Sequence, residues 1–291
     1  MTRRFALLVN PKSAGGRPLK VLPEVTAELD RVDSHYRVIE TRSLDHAREE
    51  ARLAADAGET VATLGGDGLV GPVAGELRHR DTALAVLPGG RGNDFARALG
   101  IPQEPAKAAR VAIEGVERAV DLAEVDGAAY VGIASFGVDS DIQEIANETK
   151  LVKGDLAYPY ATLRGLLGWR HARFEVAIDG ERHEFAGYSV AVGNSGIFGG
   201  GMRYIPDAEL DDGELDVLLI SVTSKLRYAH GLTKVFDGKH LNPEYTQLFR
   251  GSVVEVSADR QFTVFADGDP IGTTPATMRV HPRSLKVIVP A

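Results

Sequence analysis

A short β-branched run, Thr60-Val61-Ala62-Thr63-Leu64, breaks into Gly65-Gly66-Asp67-Gly68 and resumes as Leu69-Val70-Gly71-Pro72. The pattern predicts a buried strand, a glycine turn and the start of a helix, with Pro72 in its first position. Such a turn is an anion site, because backbone N–H groups point outward and no Cβ blocks the ligand. An aspartate inside it repels a bare phosphate. Asp67 makes chemical sense when a divalent cation lies between carboxylate and phosphates, which points to phosphoryl transfer.

Two other readings of the loop stay open. Gly66-x-Gly68-x-x-Gly71 matches the dinucleotide fingerprint, with Arg91 available for a 2′-phosphate. Against it, the match falls at the third strand, and no acidic residue ends the next one at Ala83–Leu87. A purely structural tight turn is the other alternative. No Gly-x4-Gly-Lys-Ser/Thr stretch occurs, which excludes a P-loop.

With 291 residues there is room for two cores. A net charge of −8 argues against a general nucleic-acid binder. The absence of cysteine removes disulfides, thiolate metal sites and a cysteine nucleophile. The apolar run Phe5–Val9 behind Met1-Thr2-Arg3-Arg4 is too short for a signal peptide, and no run approaches about 18 apolar residues. A cytoplasmic protein, soluble or peripheral to a membrane, is expected.

Along the chain, Phe5–Val9 predicts a first strand that ends in Asn10-Pro11-Lys12-Ser13-Ala14-Gly15-Gly16, followed by a helix from about Leu19 to Val32. Tyr36–Glu40 is the next strand. Thr41 and Ser43 compete to cap a helix over Leu44–Ala57. This alternation is the doubly wound α/β signature and places Asn10, Thr41 and Gly65–Gly68 at one edge of the sheet. The fourth strand runs into Pro88-Gly89-Gly90-Arg91-Gly92-Asn93-Asp94, a second glycine loop whose helix is capped by Asn93 or Asp94. Phe95, Ala98 and Leu99 are assigned to the core. A helix over Glu104–Gly115 follows.

From about Glu117 short apolar runs alternate with Asp126-Gly127, Asp179-Gly180, Asp212-Gly213 and Asp267-Gly268, which predicts antiparallel sheet, a β-sandwich. A helix is expected across Asp155–Arg173. Its apolar face (Tyr158, Tyr160, Leu163, Leu166, Leu167, Trp169) reads as core packing. A membrane-facing role is the alternative, supported by Trp169 and the adjacent Arg164, Arg170 and Arg173.

Asn10-Pro11-Lys12, Gly65-Gly66-Asp67-Gly68 and Pro88–Ile101, in this order and spacing, resemble the bacterial diacylglycerol kinase family of soluble lipid kinases, relatives of the sphingosine and NAD kinases. The resemblance runs nearly the full length. It implies an α/β domain at 1–122 that regains a last strand from about 280–291 (Ser284–Val289), a β-sandwich domain at 123–279, and an active site in the cleft between them. It implies ATP and Mg²⁺ as cofactors, a lipid alcohol as substrate and peripheral membrane contact; a homodimer is compatible with it.

The glycines Gly65, Gly66, Gly68, Gly89, Gly90 and Gly92, with Asn10, Lys12, Thr41, Arg91 and Asn93, would hold the nucleotide. Asp67 and Asp94 would organise Mg²⁺, partly through water, and Lys12 would balance charge. Asp267, first carboxylate of an Asp-Gly-Asp turn, would be the general base, with Asp269 beside it where the family has glutamate. The stretch Pro206–Val217 resembles an element that binds a structural magnesium in some members, through Asp212 and the main chain of Leu215; an acidic hairpin turn is the alternative. The chain departs from the family pattern at Leu69, Gly71, Pro72 and Arg91. An NAD kinase-type enzyme and a non-catalytic nucleotide- or lipid-binding regulator are the remaining alternatives.

Overall fold

The computed structural model describes residues 3–149 and 157–291. The first half alternates β1 (Phe5–Val9), α1 (Arg17–Arg31), β2 (Tyr36–Glu40), α2 (Leu44–Asp56), β3 (Thr60–Gly65), α3 (Asp67–Leu77), β4 (Ala83–Pro88), α4 (Asp94–Ala98) and α5 (Pro105–Glu114). The strands pair in parallel in the order β2-β1-β3-β4. β1 and β4 are buried at every residue, as central parallel strands covered on both faces should be. α1 packs beside α5 and α2 beside α3. Ser43 wins the cap of α2 through a bond from the His46 amide, while the Thr41 hydroxyl donates to the Val9 carbonyl.

The second half carries β5 (Val116–Val125), β6 (Ala128–Tyr130), β7 (Ile133–Gly137), α6 (Val138–Glu148), α7 (Ala157–Gly168), β8 (Ala172–Ile178), β9 (Glu181–Gly193), β10 (Ile197–Phe198), β11 (Met202–Arg203) and β12 (Leu215–Ser221). It closes with α8 (Lys225–Leu232), β13 (Thr246–Gly251), β14 (Val253–Ala258), β15 (Thr263–Ala266), β16 (Asp269–Thr273) and β17 (Ala276–Val289). The order β16-β15-β7-β9-β8-β14-β17 is antiparallel throughout. β17 then pairs in parallel with β4, through Lys286 opposite Ala83 and Val287 opposite Leu84. The last strand thus joins the two halves into one sheet.

Two hydrophobic cores result, one per half. Along β5 the core changes between Leu122 and Ala123, and along β17 between Val280 and Leu285. Three Asp-Gly pairs form two-residue hairpin turns with both residues at positive φ: Asp126-Gly127, Asp179-Gly180 and Asp267-Gly268. Asp212-Gly213 does not. It lies between β11 and β12, which pair with different strands, so the hairpin reading fails there.

Two further expectations are corrected. Pro72 is not at a helix start: α3 begins at Asp67, and Pro72 lies inside it, withholding the amide that would otherwise bond the Gly68 carbonyl. The helix expected over Asp155–Arg173 spans Ala157–Gly168, its first two expected positions lying outside the described residues, and the chain is already in β8 at Ala172. Trp169 is buried at 4% exposure and its indole N–H donates to the Gly187 carbonyl, so it has no membrane-facing role.

Candidate active site

The two glycine loops meet backbone to backbone. A Cβ on Gly90 would stand 2.5 Å from the Gly66 Cα, so side chains at this contact would force the loops apart. The Asn93 side chain braces the second loop from within. Its Oδ1 accepts from the Gly90 amide at 2.7 Å, and its Nδ2 donates to the Gly90 carbonyl and to Gln103. Arg17, at the start of α1, donates to the same Gly90 carbonyl. The Gly90 amide is therefore engaged inside the loop.

Asp67 caps the opposite loop's helix. Its two carboxylate oxygens accept from the amides of Asp94 (3.0 Å) and Phe95 (3.1 Å), at the N-terminus of α4. Neither Asn93 nor Asp94 caps that helix with its side chain; Asn93 sits at φ 52 without a capping bond. The Asp94 carboxylate reaches the other half of the chain and accepts from the Gly200 amide at 2.9 Å. Gly199, Gly200 and Gly201 all take positive φ (61, 86 and 108°), the conformation that presents that amide.

Asp267 comes to the cleft on the β15–β16 turn at φ 54. Its carboxylate accepts from the Val131 amide (2.9 Å) and the Gly132 amide (2.8 Å), in the connection between β6 and β7. A Cβ on Gly132 would lie 2.5 Å from Asp267 Oδ1, so glycine there lets the carboxylate dock. The chain turns at Asp267-Gly268 rather than continuing extended. Asp269 therefore faces Gly68 and not the Val131–Gly132 amides.

The electrostatics are those of a crowded acidic cleft. Burial, reinforced by the Asp67 charge, pushes the Asp267 carboxyl up to about 8 against the lowering effect of its two amides. Burial also raises Asp67, against the Asp94 and Phe95 amides, and the Asp94 charge adds to the rise. Asp94 and Asp269 are likewise raised by burial.

These groups surround a cavity of about 710 Å³. Gly66, Asp67 and Gly68, the loop Gly90–Gly92, and Asp94 line one side; Ile197–Gly200, Gln143, Asp267 and Gly268 line the other, and Ser13 completes it. A smaller cavity of about 110 Å³, lined by Arg48, Gly68, Gly71, Asp267 and Asp269 among others, shares Asp67, Gly68 and Asp267 with the larger one. The structure thus brings together Gly66, Asp67, Gly68, Gly90, Arg91, Gly92, Asp94 and Asp267. It leaves Asn10, Lys12, Thr41, Gly65, Gly89 and Asn93 outside the larger cavity's lining. Asn10 Oδ1 is used by the Lys12 amide, and Gly65 and Gly89 bond to each other through the main chain.

Among the described residues no three carboxylate or imidazole groups converge as a metal site by themselves. The donor set still suits Mg²⁺, which is commonly held by one or two carboxylates plus substrate phosphates and water. Asp67 and Asp94 offer the carboxylates, and repulsion among the acids gives a cation something to offset. At the second metal position considered, Asp212 Oδ1 accepts from the Glu214 amide and Oδ2 stands 3.7 Å from Arg250, which also binds Asp216 at 2.9 Å. Leu215 is a ladder residue opposite Gly251. Arg250 and Arg118 each pair with acids of that turn, Arg118 with Asp211 at 2.8 Å.

Sequence reasoning missed the Val131 and Gly132 amides, the Gly200 amide, Gln143 and Arg17. The run Gly199-Gly200-Gly201 was a visible signal, since three consecutive glycines leave main-chain amides open to a distant carboxylate. The others carry no local signature.

The chain is similar to known proteins along nearly its whole length. Residues 4–125 match the diacylglycerol kinase catalytic domain, and residues 132–289 match the YegS C-terminal NAD kinase beta sandwich-like domain. The chain is 28% identical to a diacylglycerol kinase of Mycobacterium tuberculosis, covering 99% of this chain and 95% of that one. It is 31% identical to a Pseudomonas aeruginosa protein named "Probable lipid kinase YegS-like", with the same coverage. The crystal structure of a diacylglycerol kinase from Bacillus anthracis superposes with a TM-score of 0.77 at 22% identity, over 99% of this chain and 97% of that one, a likeness of fold. With both halves matched in order, the chain belongs to the diacylglycerol kinase-like family of lipid kinases.

Proposed function

We propose that this chain transfers the γ-phosphate of ATP to the hydroxyl of diacylglycerol or a similar long-chain alcohol, with Mg²⁺ as the metal. The observation that carries the reading is the Asp267 carboxyl, delivered by the second half into the cavity built by the first half's glycine loops. A carboxyl raised to about 8 by burial is, in its ionised form, a stronger proton acceptor for an alcohol than an ordinary aspartate, and it ionises close to neutral pH.

In this mechanism the glycine loops and Arg91 receive the polyphosphate, and the Val131 and Gly132 amides fix the orientation of Asp267. The alcohol oxygen forms a bond to the γ-phosphorus as the bond to the β-phosphate bridging oxygen breaks. ADP leaves, and the hydroxyl proton passes to Asp267 late along the reaction. Asp67 and Asp94 would hold Mg²⁺, which would supply charge neutralisation at the phosphates. Lys12, exposed on the loop after β1, would balance charge at long range only. A long-chain acceptor resides in a bilayer, so the protein works by peripheral membrane contact; no helix among the described residues is long and apolar enough to span one.

The test is transfer of labelled phosphate from ATP across diacylglycerol, ceramide, sphingosine, polyprenol and NAD, with and without Mg²⁺. Labelled phosphatidic acid formed only with Mg²⁺ is the expected result. Labelling of NAD alone, or of nothing, would refute the reading.

A further inference from the structure

Trp169 does not face a membrane, yet the helix before it exposes a different apolar stripe. Tyr160, Leu163 and Leu167 recur at i, i+3 and i+7 along α7 and are 38%, 61% and 69% exposed. A second exposed pair, Val222 (51%) and Leu226 (85%), lies just before and at the start of α8. Two observations place them side by side. The Lys225 ammonium donates to the Leu167 carbonyl at 2.8 Å, joining the end of α7 to the start of α8. On the inner side, Trp169 and Tyr228 both stack on the same ring, Tyr188, at 6.4 and 4.3 Å. Both elements are thus anchored on one buried tyrosine, with their leucines left outward.

The charge around the leucines is one-sided. Residues 157–173 and 222–236 hold no aspartate or glutamate, while they hold Arg164, Arg170, Arg173, Lys225, Arg227 and Lys234, in a chain of net charge −8. Arg227 is engaged by Glu244 in an exposed pair; Arg164 and Lys225 are exposed beside the leucines. We propose that this α7–α8 surface is where the protein docks on an anionic bilayer, with Leu163, Leu167 and Leu226 entering the acyl boundary and Arg164 and Lys225 at the lipid phosphates. The inference deepens the lipid-kinase reading and rests on it for the nature of the partner. α7 packs against α6, which carries Gln143 of the cavity lining, so the docking surface lies one helix away from the site.

The experiment uses the full chain and vesicles that contain neither acceptor lipid nor nucleotide, so it is independent of phosphate transfer. Vesicles of phosphatidylcholine alone and with about a third of phosphatidylglycerol are floated with wild type, Leu167→Asp/Leu226→Asp and Arg164→Glu/Lys225→Glu. Wild type is expected on the anionic vesicles only, less so at high salt, and each double variant is expected to bind at least about tenfold more weakly. All these side chains are exposed, and an unchanged Tm confirms the fold; if a double variant unfolds, the single changes Leu226→Asp and Lys225→Glu take its place. Equal binding by wild type and variants overturns the proposal. So does sedimentation showing a wild-type dimer that Leu226→Asp dissolves, which would make the surface a contact between two copies.

Discussion

The Asp67 carboxylate lies 3.0 Å from the Asp94 amide nitrogen and so ties the first glycine loop to the helix that follows the second. The residue expected to organise the metal therefore also carries structure. Asp67→Asn puts an NH₂ group against one of two N–H donors, and loses a helix cap as well as a charge. We expect turnover to fall by more than tenfold and stability by about 1 kcal/mol, a shift of about 2–4 °C in Tm, part of it offset by relief of repulsion from Asp94 and Asp267. Calorimetry and a transfer assay on the same preparation check both. Turnover within tenfold of wild type would remove Asp67 from the chemistry.

Asp267→Asn removes the proton acceptor while keeping its size. Turnover should fall by about 10²–10⁴ with nucleotide affinity retained. Because burial and the Asp67 charge raise the carboxyl to about 8, the wild-type kcat/KM should climb with pH up to that region and then level. The variant should lose the climb. A wild-type profile that is flat from pH 6 to 9 would place the base elsewhere.

Gly90→Ala tests the contact between the loops. The added methyl would point at the Gly66 backbone, which cannot yield as a flexible side chain would. A loss of about 1–3 kcal/mol is expected, read by denaturant unfolding. A variant as stable as wild type would mean that the loops separate freely.

Asp139, at the start of α6, is partly buried and receives the hydroxyls of Tyr204 (3.0 Å) and Tyr228 (3.5 Å). Burial raises it from 3.8 to about 6 despite these donors, so the folded chain holds its proton more tightly than the unfolded chain does. The stability gained from the neutral form is complete below about pH 4 and is lost as pH rises through about 6. Asp139→Asn stays neutral throughout. Its Tm, followed by calorimetry from pH 4 to 6.5, should decline less than that of wild type.

The parts of the fold set by local rules were legible in the sequence. β-branched runs gave the parallel strands, and three of four Asp-Gly pairs gave tight hairpins, because both depend on neighbouring residues alone. The exception, Asp212-Gly213, has the same two letters but stands between strands that pair elsewhere. Pro72 misled because proline favours a first turn, while the start of α3 follows from the strand end at Gly65.

In the site, the acids and glycines were legible and their partners were not. Asp67 meets amides 27 and 28 residues away, and Asp267 meets amides 135 and 136 residues away. A main-chain amide has no letter of its own, so such a cradle is invisible until the chain is folded. The apolar face of α7 was misjudged in part for a related reason: Leu166 and Trp169 are buried, as core packing requires, but Tyr160, Leu163 and Leu167 are exposed. Which side of an apolar helix is covered depends on a residue elsewhere, here Tyr188 on β9.

β5 and β17 pass from one core into the other while paired along most of their length. A hinge between lobes ordinarily uses a linker in which few hydrogen bonds resist bending. Here the connection is a two-stranded ribbon, stiff in its plane, and opening the cleft means twisting that ribbon instead of swinging a strap. The compliant point is where the pairing shifts register between His281 and Leu285, since a bulge bends a strand that regular pairing holds straight. The gap between Asp67 and Asp267 is thus set by the sheet itself.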